Sequence, residues 1–364
     1  MAIYHWDEDL IKTTISNERK VHSLLNELYD VKDEELTALF NRNDSFRDFT
    51  RNFRLDYVNL ARIDEDMLEY ICFLYEKAKL DEICNVEMPK VDIPDEELVN
   101  TVANFFYSLK DKEITSIIED IVNPNSHQLK IENKTKGGNE TSSLVQGRVI
   151  KGEDQDTVYG SFYKKGYEED KVILAHEMGH MLSHRLFGQD INLYMKKFLT
   201  EVESYYMELL AGQYLGEECG MFKESLCFRA NRLSKIFEQI WDLHIQYVMN
   251  TYILNTDHVE ISRALQLQGY PREITEEDFK RYIRIPFGFR ARMINSYLVA
   301  LELFRITLED KEKGIDTYKR LFRSDISKYK KLLNKFDINY LKDSTTLDCM
   351  IKENKALQKI LLHS

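Results

Sequence analysis

The chain of 364 residues has few of the residues that break helices, with only five prolines and fourteen glycines. Leucine, isoleucine, lysine and glutamate recur at helical spacing, which predicts a mainly α protein. A chain of this length can bury a large hydrophobic core. No apolar run approaches the roughly 20 residues that a membrane span needs, so we expect no membrane partner.

Cysteines are also few, and acidic residues outnumber basic ones. The five cysteines form no Cys-x-x-Cys pair, which argues against a thiolate metal site or a redox motif. The net charge of −12 argues against a nucleic-acid partner. The polar, acidic stretch from Met1 to Asp9 is unlike a signal peptide, so a cytoplasmic protein is predicted, with secretion by another route as the alternative. The oligomeric state stays open.

One stretch carries recognisable chemistry: His176-Glu177-Met178-Gly179-His180, within an otherwise apolar segment. Residues four apart lie on one face of a helix, so both imidazoles can bind one zinc ion per chain. The intervening glutamate can then take a proton from a water on that ion. Acidic residues at 168–170 suit the start of this helix, and Gly188 suits its end. The alternative is a helix whose histidines only pack.

A catalytic zinc site needs a third protein ligand and one open position. A second predicted helix, residues 198–215, places Glu201 and Glu208 on one face. We expect Glu201 to bind the metal. Glu208 either takes that place or orients a ligand histidine from behind. Glu203 is predicted to be solvated.

Other histidines are weaker candidates for the metal. His184 continues the four-residue spacing, but three histidines along a straight helix cannot all converge on one tetrahedral ion. A metzincin would need a glycine and a third histidine where this chain has Ser183 and Leu186, so that class is excluded. His244 is predicted to pack in a core, and His258 to lie in a loop.

Ahead of the metal helix, turn signals and short β-branched or aromatic runs predict a small antiparallel sheet beside it. Its strands are residues 144–150 and 157–163. The exposed edge of the second strand could hold an extended peptide over the metal. The residues predicted to contact such a peptide are Tyr159, Gly160 and Ser161. A purely structural hairpin is the alternative.

Four blocks occur in a telling order: His176-Glu177-Met178-Gly179-His180, Glu201-Val202-Glu203-Ser204-Tyr205-Tyr206-Met207-Glu208, Arg284-Ile285-Pro286 before an aromatic helix, and Tyr318-Lys319-Arg320-Leu321-Phe322 through Leu332-Leu333 to Phe336-Asp337-Ile338. Together they resemble the thimet oligopeptidase and oligopeptidase F family of zinc peptidases, over roughly residues 145–350. The resemblance implies a helical fold with a deep channel between two lobes, which admits peptides and excludes folded proteins.

The second and third blocks depart from the family pattern. Glu203 and Tyr205 stand where the family has proline and glutamine. The family's third block normally supplies a histidine and tyrosines that bind the oxyanion, but no histidine lies near Pro286 and Phe289 replaces a tyrosine. Tyr297 is the best remaining hydroxyl donor. The alternative donors are the arginines Arg290 and Arg292.

The sequence therefore predicts a mainly α, two-lobed zinc peptidase with a small antiparallel sheet beside the active-site helix. An N-terminal helical lobe is expected at 1–125 and a catalytic lobe at 126–364. The predicted function is zinc-dependent hydrolysis of short, unstructured peptides, with Glu177 as general base. Two alternatives stay open: a narrow-specificity protease that acts on one regulator or effector protein, and a metal-bound scaffold that recognises a peptide without cutting it.

Overall fold

A computed structural model describes residues 90–133, 147–151, 157–187, 201–252 and 287–323, with a few isolated positions at 275 and beyond 333. The described part is mainly helical, as predicted. Its helices are α1 (Asp95–Ser108), α2 (Lys112–Ile121), α3 (Glu169–Phe187), α4 (Val202–Glu217), α5 (Phe222–Tyr252), α6 (Phe287–Glu309) and α7 (Lys311–Phe322). Its strands are β1 (Leu129–Asn133), β2 (Gly147–Lys151) and β3 (Val158–Lys164).

The sheet is mixed, so the prediction of a purely antiparallel sheet is wrong. The two predicted strands are present as β2 and β3, and they do pair antiparallel. However, β1 joins the other side of β3 in a parallel pairing, which gives the strand order β1-β3-β2. A parallel pairing needs a long crossover between its strands, and short-range turn signals do not reveal such a partner.

β3 is the central strand of this sheet, so the prediction that it offers an exposed edge to a peptide is also wrong. Gly160 pairs with Leu129 on one side and with Val149 on the other. Its N–H donates to the carbonyl of Gln128 at 2.7 Å. Tyr159 and Ser161 are buried in the same strand. The backbone of Tyr159, Gly160 and Ser161 therefore serves the sheet, and a peptide cannot add beside it.

Helices α1 and α2 follow from their apolar spacing. The apolar residues of α1 form one buried stripe: Leu98, Val99, Val102, Ala103, Phe105 and Phe106. At the start of α2, the carboxylate of Asp111 accepts the N–H groups of Glu113 and Ile114, both at 3.0 Å. Lys319 of α7 binds the same carboxylate at 2.9 Å, which ties α7 to the start of α2.

Helix α3 runs through the centre of these elements, with packing against α1, α2, α4, β2 and β3. Its first turn is fixed by Asp170, whose buried carboxylate accepts the backbone N–H groups of residues 165–167. Burial raises the pKa of this carboxyl despite those three bonds. The acidic residue thus anchors the turn from β3 into α3, in addition to suiting the helix dipole. Gly188 lies outside the described residues.

A glycine in the histidine motif sets the distance between α3 and α4. A Cβ at Gly179 would lie 3.2 Å from the Cα of Ser204 and from the Cγ of Met207. It would also lie 3.3 Å from the carbonyl oxygen of Glu203. Because two of these neighbours are backbone atoms, a larger side chain would push α4 away from the histidines.

The described residues from 90 to 233 and from 296 onwards form one compact unit, and those from 234 to 295 belong to a second. Helices α1 and α2, assigned by sequence to the N-terminal lobe, thus share a unit with α3. The lobes at 1–125 and 126–364 stay predictions, because residues 1–89 lie outside the described part. Within that part, no helix has the length and apolar character to cross a membrane.

We predict that Gly179→Ala destabilises the protein although alanine favours helices. Crowding of the α4 backbone costs about 1–3 kcal/mol, which exceeds the gain of about 0.5–1 kcal/mol from alanine in a helix interior. Urea unfolding of the metal-free protein measures the difference. The matched control is Gly212→Ala in α4, whose Cβ would meet the Phe228 ring at an ordinary 3.6 Å and should stabilise slightly. Equal stabilisation by both variants would contradict the close approach.

Candidate metal centre

The two motif histidines lie on one face of α3, one turn apart. Their ring centroids are 5.1 Å apart with the ring planes at 87°. Both side chains are only partly buried, whereas Met178 and Gly179 between them are buried in the core. The helical spacing that the sequence predicts therefore presents both imidazoles together at the surface of α3.

Glu201 faces both histidines from the position just before α4. Its Oε2 lies 3.3 Å from the Nε2 of His176 and 3.3 Å from the Nε2 of His180. The single hydroxyl hydrogen of Ser204 is shared between this oxygen, at 3.1 Å, and the Glu201 carbonyl, at 3.0 Å. Two nitrogens and one oxygen, all within 4.8 Å of one another, could hold a metal ion.

Each histidine is held from behind by a carboxylate of α4. The Nδ1 of His176 lies 2.8 Å from Oε2 of Glu208, and the Nδ1 of His180 lies 3.1 Å from Oε1 of Glu203. An ionised carboxylate can only accept, so each Nδ1 carries the hydrogen. In a neutral imidazole that tautomer leaves Nε2, the nitrogen that faces Glu201, available to a metal.

Glu208 is itself paired. Arg232 of α5 donates from Nε to Oε1 of Glu208 and from Nη2 to Oε2, the latter at 2.7 Å. The Arg232 guanidinium lies over the ring of Tyr205, 5.2 Å from its centroid, and that ring meets His176 edge-on at 5.5 Å. Arginine, tyrosine and carboxylate thus form a buried layer behind His176.

The charges in this cluster shift one another's protonation. Burial lowers the pKa of His176, but hydrogen bonds to Glu201 and Glu208 outweigh it and raise the pKa to about 9. Burial also lowers the pKa of His180, but the carboxylates of Glu201 and Glu203 outweigh it. The pKa of His180 therefore rises well above its usual value. Glu201 is shifted the other way: burial raises its pKa, but the two imidazoles hold it far below the usual range.

Glu177 lies on α3 between the two histidines in sequence. Burial raises the pKa of its carboxyl, and the nearby histidines partly offset that effect. Within the described part of the chain, the Nδ1 hydrogen bonds of the two histidines go to Glu208 and Glu203 and not to Glu177. A carboxyl held near the metal ligands with a raised pKa suits a general base.

The predicted oxyanion donor, Tyr297 of α6, is fully buried. Its ring packs edge-on against Tyr205, with centroids 5.6 Å apart, so it lies one aromatic ring away from His176. The side chains of Arg290 and Arg292 lie outside the described residues, as does the Arg284-Ile285-Pro286 block. The role of Tyr297 therefore stays a prediction.

Of the three weaker histidine candidates, the structure describes the side chain of His184. Among the described residues, the side-chain cluster that could hold a metal contains His176, His180 and Glu201 but not His184. The side chain of His244 and all of His258 lie outside the described part. The exclusion of His184 as a third ligand thus agrees with the geometry.

Sequence reasoning missed two contributors. Glu203 was predicted to be solvated, which is wrong: its side chain is buried and bonded to His180. It lies just inside the N-terminus of α4, where the backbone of this helix approaches Gly179 of α3. Arg232 carries no local signal at all, because its partner lies 24 residues away on another helix.

No protein-family model and no curated protein matches the sequence. Solved structures match its fold. A candidate oligoendopeptidase F from Bacillus anthracis superposes with a TM-score of 0.57 and 13% identity, over 94% of this chain and 67% of its own. PZ peptidase A, solved with an inhibitor, gives 0.57 and 12%, over 84% and 61%.

A candidate peptidase from Chlamydophila abortus gives a TM-score of 0.53 and 17% identity, over 83% of this chain and 55% of its own. Our chain thus spans only 55–67% of the length of these three proteins. At such low identity the likeness concerns the fold, and it agrees with the resemblance seen in the sequence. The chain therefore has the fold of oligoendopeptidase F and related peptidases.

Proposed function

We propose that this protein is a zinc-dependent metallopeptidase that hydrolyses short, unstructured peptides. One observation carries the proposal: potential ligand atoms of His176, His180 and Glu201 lie within 4.8 Å of one another. The chain that brings them together has the fold of known peptidases. Glu177 lies next to the first of these ligands, as a His-Glu-x-x-His site requires.

The donor set fits zinc. Two imidazole nitrogens and one carboxylate oxygen are a standard zinc-hydrolase set, and three protein ligands leave a position for water or substrate. The carboxylates on both Nδ1 atoms support this choice, because metal-binding histidines usually donate their other ring N–H to such partners. A zinc ion held there acts as a Lewis acid and lowers the pKa of a water molecule to about 7.

Glu177 is the proposed general base. Its carboxylate accepts a proton from the attacking water and then delivers that proton to the leaving amine, so the base is restored after each turnover. Tyr297 is the proposed hydroxyl donor to the oxyanion, with Arg290 or Arg292 as the alternative. Glu201 and the histidines bind the metal and do not exchange protons with the substrate.

β3 is not the strand beside which a substrate peptide can bind. Because β3 is paired on both sides, we propose β2, an outer strand of the sheet as far as the structure describes it, as the edge that a peptide would extend; β2 packs against α3. Backbone pairing of this kind recognises extended chains irrespective of sequence. It therefore suits short, unstructured peptides.

We predict that Glu177→Gln lowers the peptidase rate by about 10²–10⁴-fold, while one zinc per chain stays bound. Glutamine has nearly the same shape but cannot accept the proton from water. Metal analysis of the purified protein, together with cleavage of a quenched peptide library, measures both quantities. A variant that cleaves at the parental rate would overturn the role of Glu177. A zinc-loaded parent that cleaves no peptide would favour the non-catalytic scaffold.

We predict that Glu201→Ala weakens zinc binding far more than any substitution on the exposed end of α4. Loss of Glu201 removes a direct ligand, whereas Glu217 lies exposed near the end of the helix. Competition with a chelator gives the zinc dissociation constant of each variant. Glu217→Ala is the matched control, because it removes the same carboxylate from the same helix. Equal affinities in the two variants would contradict the three-ligand centre.

We also predict that cleavage falls as peptides lengthen and that stable folded proteins stay intact. A folded substrate would have to unfold locally to lie along a strand, at a cost of up to several kcal/mol. Quenched peptides of increasing length and a panel of folded proteins, followed by mass spectrometry, distinguish the possibilities. Efficient cutting of one folded protein with little turnover of short peptides would instead favour a dedicated protease.

A further inference from the structure

Glu203 is a buried acid that the proposed reaction does not use. Only 8% of the residue is exposed, and its Oε1 lies 3.1 Å from the Nδ1 of His180. Within the part of the chain that the structure describes, its Oε2 is buried with no hydrogen-bond partner. A half-satisfied buried carboxylate destabilises a fold, so its presence here calls for a function.

The comparison with Glu208 shows what is unusual. Both acids are buried on α4, and each bonds the Nδ1 of one histidine of α3. Glu208 shares its charge with Arg232 through two hydrogen bonds. Among the described residues, the ion pairs of Glu203 include His180 and no lysine or arginine. The contact of the Glu203 carboxyl that the structure describes is therefore with one imidazole, without an arginine to share it.

The backbone geometry makes this contact possible. Gly179 precedes His180, and a Cβ there would lie 3.3 Å from the carbonyl oxygen of Glu203. The backbones of α3 and α4 therefore lie close together beside the side-chain contact between His180 and Glu203. Glu203 also stands where the resembling family has proline, which has no side-chain acceptor.

We propose that Glu203 is a positioning residue for the metal centre: it fixes the ring and tautomer of His180 and tightens the binding of a divalent cation. This inference rests on the proposed metal site. Acceptance of the Nδ1 hydrogen leaves Nε2 of the neutral ring, which faces Glu201, as the nitrogen that can bind a cation. A carboxylate hydrogen-bonded to Nδ1 makes the imidazole a stronger donor to a cation on Nε2.

The test compares zinc affinity in Glu203→Ala, Glu203→Gln and the exposed control Glu217→Ala, all in the full chain. We expect Glu203→Ala to raise the zinc dissociation constant by about 10–100-fold. Glu203→Gln should lie between Ala and parent, because its amide oxygen still accepts the Nδ1 hydrogen but carries no charge. Glu217→Ala should bind zinc as the parent does.

Cobalt(II) substitution separates positioning from a merely structural role. Its visible absorption reports the ligand field at the metal, and we expect that spectrum to change in both Glu203 variants and not in Glu217→Ala. The unfolding midpoint of each metal-free variant gives the effect on the fold alone. A lower midpoint with unchanged affinity and unchanged cobalt spectrum would show that Glu203 is structural and overturn the inference.

The outcomes distinguish this inference from the function on which it rests. A parent that binds zinc, beside Glu203 variants that bind it equally well, overturns the inference alone. A parent that takes up neither zinc nor cobalt overturns the proposed function and the inference with it. Intermediate affinity in Glu203→Gln, with a shifted cobalt spectrum, supports both.

Discussion

The centre depends on two hydrogen bonds between helices: Nδ1 of each motif histidine on α3 is bonded to a buried carboxylate on α4. Each bond fixes the rotation and tautomer of an imidazole and so decides where its Nε2 points. Both bonds require the backbones of α3 and α4 to lie close, which Gly179 permits. The orientation of the motif histidines therefore depends on the α4 carboxylates, and both depend on the close packing of α3 and α4.

Charge balance explains why a divalent cation suits this place. Glu177, Glu201, Glu203 and Glu208 face the histidines, and among described residues Arg232 is the cation that pairs directly with one of them. Without a metal, protons on the imidazoles offset part of this charge, and hydrogen bonds to the acids raise the pKa of His176 to about 9 although burial opposes it. A divalent cation would replace those protons at the same point.

The departures from the family pattern are used together in the structure. Glu203, in place of proline, contacts His180, and Tyr205, in place of glutamine, fills the space between His176, Arg232 and Tyr297. The helical scaffold matches that of known peptidases at 12–17% identity.

The sequence by itself determined the mainly helical fold and the spacing of His176 and His180. It also singled out Glu201 and Glu208 as the acids that face these histidines, because helical periodicity is local. Only the tertiary structure decided that β3 is central, since its partner β1 is reached through a distant, parallel pairing. It also decided that Glu203 is buried and that Arg232 pairs with Glu208. Those contacts depend on how closely separate helices pack, and no local pattern encodes that distance.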